Sequence, residues 1–498
     1  MSYTKRAVRA FIIVFVINII AAFLGYLIRI VLARNLSVAE YGLFFSVLTF
    51  INFLGGFIGL GMGESLVKYI PEFLVKKKHY KIKNAVIITF LAFLATLIIL
   101  GGALFISSGF LAQYYFKNVL AAQVLLLFII ILFFISFKSI LKYSFQAFQN
   151  MKVYASIYLV ENLFLLLLLV WFFNHKKDIF MASYAHILAN LFIIIIFTPL
   201  LFKVFNFFKH KAFLDRDTFK KLLNFGLITL AANVGGIIIL YTDTLVLTFF
   251  RSLEEVGVYN VVVPTAMIIQ FFSTSIATVI FPMVAELWAR KKNEFLEQGL
   301  KVLYQYSFVI MIPAVLIFLF FSETILRLMF GQAYAGGALA MQILLIAILF
   351  LGMQVITGTI LRAIGQPAIN TKILIQGAVI NFVLNILIIP KLGIAGAAIT
   401  SLIAYVYIAL RCVFKLRQFI QVKIPWFNWL KTIFAGLVML AAIFILKNIL
   451  AKIAALNIYL DAVICAGVGS LLYLLLILAL KIINLREIKE LAAHIMSR

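Results

Sequence analysis

Stretches of about 20 mostly apolar residues recur along the whole chain, and that length is what an α-helix needs to cross the hydrocarbon core of a bilayer. Fourteen such stretches are counted, near 10–33, 43–66, 84–107, 119–138, 153–173, 180–202, 222–248, 258–285, 302–321, 337–360, 373–390, 393–412, 431–449 and 459–480. Only 12% of the 498 residues are charged, against about 25% in soluble domains. The pattern predicts an all-α polytopic membrane protein and excludes a soluble enzyme, a nucleic-acid-binding protein and a disordered scaffold.

The basic residues predict the orientation of these spans. With the N-terminus inside, 33 of the 43 Lys and Arg residues fall in segments on the cytoplasmic side, among them 138–152 and the longest connection, 203–221. Nine fall outside, and Arg29 alone lies within a span. This bias follows the positive-inside rule, and anionic lipid head groups account for the net charge of +26 without any nucleic acid. We therefore expect a multi-pass protein of the cell membrane with both termini in the cytoplasm.

An internal repeat is visible at a constant offset of 215 residues. EYGLF at 40–44 matches EVGVY at 255–259, and Asn18 matches Asn233. The repeat predicts two six-helix bundles of parallel orientation, at 1–205 and 206–420. Residues 421–498 would add a two-helix hairpin and a short amphipathic cytoplasmic tail.

Four segments resemble the polysaccharide-transporter branch of the multidrug/oligosaccharidyl-lipid/polysaccharide flippase superfamily. They are RIVLARNLSVAEYGLFFSVLTF (29–50), YTDTLVLTFFRSLEEVGVYNVVVP (241–264), LRAIGQP (361–367) and NFVLNILIIPKLGIAGAAITSLIAY (381–405). The resemblance covers about residues 1–420. It implies two bundles that form a V around a cavity opening alternately to each face. It also implies translocation of a lipid-linked, polyprenyl-diphosphate oligosaccharide or polysaccharide precursor.

The sequence leaves two other functions open. An ion-coupled exporter of drugs or other small molecules would share the fold, but the first half offers little acidic side-chain chemistry within the membrane beyond Glu161. A membrane-embedded glycosyltransferase or polymerase would need acidic residues gathered on outer loops, where this chain has only scattered ones. No nucleotide-binding loop, metal-ligand cluster or nucleophile–base pair occurs. We expect a monomer without catalytic residues, metal or cofactor, whose driving force is H⁺, Na⁺ or the membrane potential. Glycan-assembly enzymes are the expected protein partners.

The most informative charged side chains are Arg29 and Asp243. A buried Arg is costly in a membrane unless it is paired or faces water, and its guanidinium binds phosphate bidentately. Arg29 is therefore a candidate for the substrate diphosphate, with snorkelling to the outer head groups as the alternative. Asp243 lies at the same depth in the second repeat. It is a candidate H⁺ or Na⁺ site, or a partner that latches Arg29 at the outer gate.

The remaining candidates are amides and one acid. Asn18, Asn233 and Asn381, with Asn385 four residues further on, would face the cavity or join neighbouring helices. Glu161 is an acid without an evident partner and would line the inner cavity. Glu64 and Lys68 are spaced four apart, which favours an ion pair on one helix face.

Overall fold

A computed structural model describes the backbone of residues 3–211, 213, 215–422, 424–453 and 458–483, with side chains omitted at 3–13, 451–453 and 458–459. Within these residues it contains α-helices and short 3₁₀ or π turns and no β-strand, so the predicted all-α fold is confirmed. The helices are α1 Tyr3–Asn35, α2 Val38–Gly55, α3 Met62–Val75, α4 His79–Phe110, α5 Leu120–Ala147, α6 Met151–His175, α7 Ile179–Val204, α8 Arg216–Phe250, α9 Leu253–Met267, α10 Gln270–Ala289, α11 Asn293–Phe320, α12 Ser322–Phe330, α13 Ala338–Ala363, α14 Pro367–Leu416, α15 Trp426–Ile453 and α16 Ile458–Ala479. The predicted amphipathic tail lies outside the described residues from 484 onward.

Thirteen helices among the described residues are long and apolar enough to cross a membrane. One of them, α14, is a hairpin. Its backbone leaves helical geometry at Gly393 (φ 55°, ψ −134°), and the Tyr407 hydroxyl donates to Gln376 Oε1 at 3.1 Å. In a continuous helix those residues would be about 46 Å apart. The fold-back at Gly393 accounts for the difference between thirteen helices and the fourteen predicted spans.

The second predicted span, 43–66, is divided between α2 and α3. Gly59, Leu60 and Gly61 all have positive φ angles, of 70°, 51° and 72°, which glycine tolerates and other residues rarely adopt. A Cβ atom at Gly61 would collide with the backbone carbonyl of Gly226, so this break also allows α8 to approach closely. The eighth predicted span, 258–285, is likewise divided, between α9 and α10.

The chain forms two compact units, Met1–Val261 and Val262–Arg498. In the first unit, α1 packs along α6, α5 packs against α4 and α7, and α8 packs against α2 and α3. In the second unit, α13 packs against α10 and α14, and α15 contacts both α11 and α16. The predicted domain boundary at 205/206 follows from the sequence repeat, and it stays a prediction.

Candidate substrate and ion sites in the membrane helices

A buried pair of opposite charges lies between α5, α6 and α7 in the first unit. Lys138 Nζ is 2.5 Å from Glu161 Oε1 and donates to Asn190 Oδ1 at 2.6 Å. The two charged side chains are only 8% and 12% exposed. Glu161 Oε2 is buried without a hydrogen-bond partner. Glu161, which has no evident partner in the sequence, therefore has a cationic partner in the structure and one carboxylate oxygen without a hydrogen bond.

Lys138 lies at the predicted end of the fourth span, but the helix does not end there. Helix α5 continues to Ala147, nine residues and about 13 Å beyond the predicted end of the span. Hydropathy assigned the lysines after Ile135 to a loop because charge lowers the apolar average. Their spacing of four residues, Lys138 and Lys142, was the signal that they belong to one helix face.

Lys142 lies one turn further along α5, on a pair of tyrosine rings from α6. Its ammonium is 3.6 Å from the ring centroid of Tyr158 and 5.5 Å from that of Tyr154. Tyr158 is 43% exposed, so the ring is accessible from outside the packed helices. Lys142, Tyr154 and Tyr158 are not among the candidates predicted from the sequence. A tyrosine pair at i and i+4 near the N-terminal end of α6 was the available signal.

A second polar patch lies where α3, α5 and α8 meet. It surrounds a cavity of about 370 Å³ lined by Glu64, Val67, Lys68, Tyr143, Gln146, Phe225 and Thr229. The predicted Glu64–Lys68 ion pair is wrong. Glu64 Oε1 instead accepts a hydrogen bond from Asn233 Nδ2 at 2.9 Å. The Lys68 ammonium lies 4.1 Å from the centroid of the Phe225 ring.

Arg29 and Asp243 form hydrogen bonds with two consecutive residues of α9. The Arg29 guanidinium lies 4.4 Å from the centroid of the Phe45 ring, and its Nη1 donates to the backbone carbonyl of Asn260 at 3.0 Å. Asp243 is 8% exposed and accepts a hydrogen bond from the Tyr259 hydroxyl at 2.7 Å. The structure thus places both predicted residues beside one turn of α9. A direct Arg29–Asp243 latch, a phosphate-binding role for Arg29 and an ion-binding role for Asp243 stay predictions.

The predicted amides occupy different environments. Asn18 is exposed on α1, and Asn233 is exposed on α8 while bonded to Glu64. Asn381 and Asn385 are buried in the α14 hairpin, where Asn385 Nδ2 donates to Asn381 Oδ1 at 3.1 Å. The Thr400 hydroxyl donates to Asn385 Oδ1 from the returning segment. This pair therefore joins the two arms of the hairpin, while Asn18 and Asn233 lie on exposed helix faces.

The connection between α7 and α8 is held against the start of α4. Asn84 is fully buried, accepts from the backbone N–H of Phe213 at 2.9 Å and donates to its carbonyl. Lys81 Nζ lies 3.6 Å from Asp215 Oδ2. Burial raises the pKa of Asp215, but the hydrogen bond from Thr218 and the charge of Lys81 outweigh it and leave the pKa below its ordinary value. Specific contacts therefore hold Phe213 and Asp215 of this basic connection against α4.

No group of three or more His, Cys, Asp or Glu side chains among the described residues is arranged to hold a metal ion. Both cysteines, Cys412 and Cys465, are free and buried.

Two family models match the chain. The one described as "Polysaccharide biosynthesis protein" matches residues 7–288, which is more than half of the chain, and the one described as MatE matches residues 229–387.

Three relatives show how far the similarity extends. An uncharacterized membrane protein of Methanocaldococcus jannaschii is 29% identical over 518 aligned positions that cover both chains completely. A probable low-salt glycan biosynthesis flippase of Haloferax volcanii is 24% identical over 43% of this chain and 46% of its own length. A putative O-antigen transporter of Shigella flexneri is 24% identical over 37% of this chain and 43% of its own length. The chain thus spans less than half the length of these last two relatives.

Solved structures share the fold. The lipid II flippase MurJ, in an inward closed conformation, superposes with a TM-score of 0.76 at 17% identity and covers 93% of this chain and 98% of its own. An inward-facing multidrug resistance transporter of the MATE family superposes with a TM-score of 0.64 at 15% identity and covers 80% of this chain and 94% of its own. At these identities the likeness shows the architecture.

Proposed function

The chain belongs to the polysaccharide biosynthesis protein family, in the polysaccharide-transporter branch of the multidrug/oligosaccharidyl-lipid/polysaccharide flippase superfamily, and from this premise we propose that it translocates a lipid-linked, polyprenyl-diphosphate oligosaccharide across the membrane. It is a multi-pass membrane protein and a flippase rather than an enzyme. The glycan substrate and alternating access are the parts that we propose.

One observation carries the proposal, which is the combination of cations and aromatic rings in the first unit. Lys142 lies on Tyr154 and Tyr158, and Lys68 lies on Phe225. A polyprenyl-diphosphate glycan presents two chemistries, an anionic diphosphate and sugar rings with apolar faces. Ammonium groups neutralise phosphate, and exposed aromatic rings offer flat apolar surfaces for the sugars.

The distribution of charge also argues against the exporter alternative. A cationic drug needs an accessible carboxylate, and the carboxylate of Glu161 is held by Lys138 at 2.5 Å. Glu64, on the second patch, faces Asn233 beside the cation Lys68. The balance of positive and negative charge around these two patches therefore suits an anionic substrate. Which of H⁺, Na⁺ or the membrane potential drives transport stays a prediction, with Asp243 as the candidate ion site.

The proposal is tested by transport in proteoliposomes. A fluorescent polyprenyl-diphosphate oligosaccharide is added, and the fraction reached by a membrane-impermeant quencher is followed with time. Lys142→Ala is expected to lower the rate by at least about tenfold, because loss of one charge-assisted contact is worth about 1.5–3 kcal/mol. Lys142→Arg keeps the charge and is expected to retain most of the rate.

The matched control is Lys152→Ala, which removes an exposed cation near the start of α6. It is expected to leave the rate unchanged. If Lys142→Ala transports at the wild-type rate, or both variants lose activity equally, the cation–tyrosine face does not bind the substrate. Transport of a cationic dye with no transport of the glycan lipid would favour the exporter.

A further inference from the structure

The second unit contains a cavity of about 680 Å³ between α11, α13, α14 and α15 that no part of the proposed transport function uses. Its walls are largely apolar. Several of the apolar side chains that line it are also exposed on the protein surface: Phe414 is 55%, Trp426 61% and Leu430 64% exposed. Exposed apolar side chains on a membrane protein contact lipid chains at no cost. The cavity is therefore suited to hydrocarbon.

Two cations line this apolar cavity. Arg411 and Arg417 both line it, near the C-terminal end of α14, and its lining contains no acidic residue. Positions 410, 413, 414 and 417 fall on one face of the helix, so Arg417 continues the stripe formed by the apolar residues. A site with this composition is complementary to an amphiphile that has an anionic head and an apolar tail.

Hydrogen-bonding groups in the wall point to the same ligand. Arg411 Nε and Ser307 Oγ are buried without a partner, and Ser307 is 7% exposed. Buried donors in native proteins almost always have partners. The polar neighbours beside the cavity are already occupied, since Asn428 donates to Gln305 at 2.8 Å and Trp429 donates to a backbone carbonyl at 3.2 Å. Arg411 Nε and Ser307 Oγ are therefore left to donate hydrogen bonds to the oxygen atoms of a phosphate group.

We propose that this cavity holds an anionic phospholipid of the bilayer as a bound, untransported lipid. Its phosphodiester lies between Arg411 and Arg417, and a fatty or isoprenoid chain lies along Phe414, Trp426 and Leu430. A cavity of about 680 Å³ is within the range that holds a drug-sized ligand. That volume suits one head group with part of a chain and is small for an oligosaccharide.

The first experiment measures binding to the full-length protein in detergent. Thermal unfolding is followed with increasing dioleoylphosphatidylglycerol, which is anionic, and with dioleoylphosphatidylcholine, which is zwitterionic. The anionic lipid is expected to raise the melting temperature at lower concentrations than the zwitterionic one. In Arg411→Ala/Arg417→Ala its apparent affinity is expected to fall at least about tenfold, since each lost charge-assisted bond is worth about that factor.

Two further variants keep the result interpretable. Lys415→Ala removes a cation from the same helix end whose ammonium donates to Gln418 and does not line the cavity. It is expected to bind the anionic lipid as the wild type does. Arg411→Lys/Arg417→Lys preserves both charges but lacks the bidentate guanidinium fork, so it is expected to bind the anionic lipid more tightly than the alanine pair and less tightly than the wild type. The comparison with the wild type tests the site even if the alanine pair unfolds.

Three results would overturn the proposal. Equal weakening by Lys415→Ala would show unspecific attraction to a basic surface. Equal stabilisation by inorganic phosphate would show that no lipid chain is bound. Displacement of the anionic lipid by equimolar polyprenyl diphosphate would assign the cavity to the transported carrier. Loss of glycan transport in Lys142→Ala is independent of all three, so failure here and failure of the proposed function can be told apart.

Discussion

At the scale of single residues, the decisive feature is the ion pair that α5 and α6 bury between them. Removing one partner of a buried pair leaves an uncompensated charge, whereas replacing both is often close to neutral. Lys138, Glu161 and Asn190 form one network, because Asn190 accepts from Lys138 and donates to the His186 carbonyl. We therefore expect the two charges to be strongly coupled.

Lys138→Met is predicted to destabilise the protein by about 3–5 kcal/mol, as is expected when a buried carboxylate loses its partner. Lys138→Met combined with Glu161→Gln is predicted to recover most of that loss. A double-mutant cycle on unfolding in detergent measures the coupling. The control is Lys76→Ala, because Lys76 and Glu72 form an exposed pair at 2.5 Å and such pairs are worth about 0–1 kcal/mol. Additive effects at positions 138 and 161 would contradict the prediction.

There is a physical reason why some charged residues of the membrane helices could be identified from the sequence and others could not. Arg29 and Asp243 stand out because each is a lone charge within an apolar run, and the structure places both in helices. Lys138 and Lys142 were missed because they follow the apolar run, where hydropathy cannot distinguish the last turns of a helix from a loop. The partner of Glu161 comes from another helix, which depends on packing that no local pattern encodes.

At the scale of elements, glycines decide which helices can approach each other. A Cβ atom at Gly42 would collide with the backbone carbonyl of Leu253, and one at Gly257 would collide with that of Val38. Backbone cannot rotate away as a side chain can, so α2 and α9 cross there only with glycine on both. The motifs EYGLF and EVGVY, recognised in the sequence as duplicates, therefore contain the crossing point.

Gly257→Ala is predicted to lower the free energy of unfolding by about 1–3 kcal/mol, the usual cost of overpacking a tight contact. Gly102→Ala is the matched control within α4, because a Cβ atom there meets nothing within 4 Å. It is predicted to raise stability slightly, since Ala has the higher helix propensity. Thermal unfolding in detergent compares the two. Equal shifts in the same direction would show that the α2–α9 crossing is not tight.

The anchoring of the long basic connection gives a second prediction at this scale. Asn84→Ala removes both hydrogen bonds to the Phe213 backbone, so the segment 203–221 is predicted to be cut faster by trypsin in inside-out membranes. Asn118→Ala is the control, because Asn118 is a short-range cap that accepts from the Leu120 N–H at 2.9 Å. Unchanged cleavage in Asn84→Ala would mean that the segment is held by other contacts.

At the scale of the whole molecule, the repeat and the topology depend on each other. The contact between α2 and α9 is reciprocal: the same 215 residues separate Val38 from Leu253 and Gly42 from Gly257. The two contacts therefore involve equivalent positions of the duplicated motifs EYGLF and EVGVY and of the residues just before them. The duplication over 1–205 and 206–420 stays a prediction, because it also needs an even number of spans in each copy.

The hairpin at Gly393 is where that number can be tested. A straight helix over Pro367–Leu416 would be about 75 Å long, whereas a bilayer with its head groups is about 40–45 Å thick. The bond between Thr400 and Asn385 requires the chain to reverse. If each arm crosses the membrane, Lys391 lies outside, and a cysteine in its place is labelled by an impermeant maleimide added to intact cells.

The same experiment covers both sides of the membrane. Ser252→Cys is also expected to be labelled from outside, whereas Lys77→Cys, Arg216→Cys and Lys291→Cys are expected to react only after the membrane is opened. All five positions are exposed. The native Cys412 and Cys465 are buried and give little background. If Lys391→Cys is labelled only from the cytoplasm, the α14 hairpin enters and leaves the membrane on the same side as a re-entrant segment. Such a segment would remove two spans at once, so later loops would keep their side, but residues 206–420 would then contain four spans instead of the six that the repeat requires.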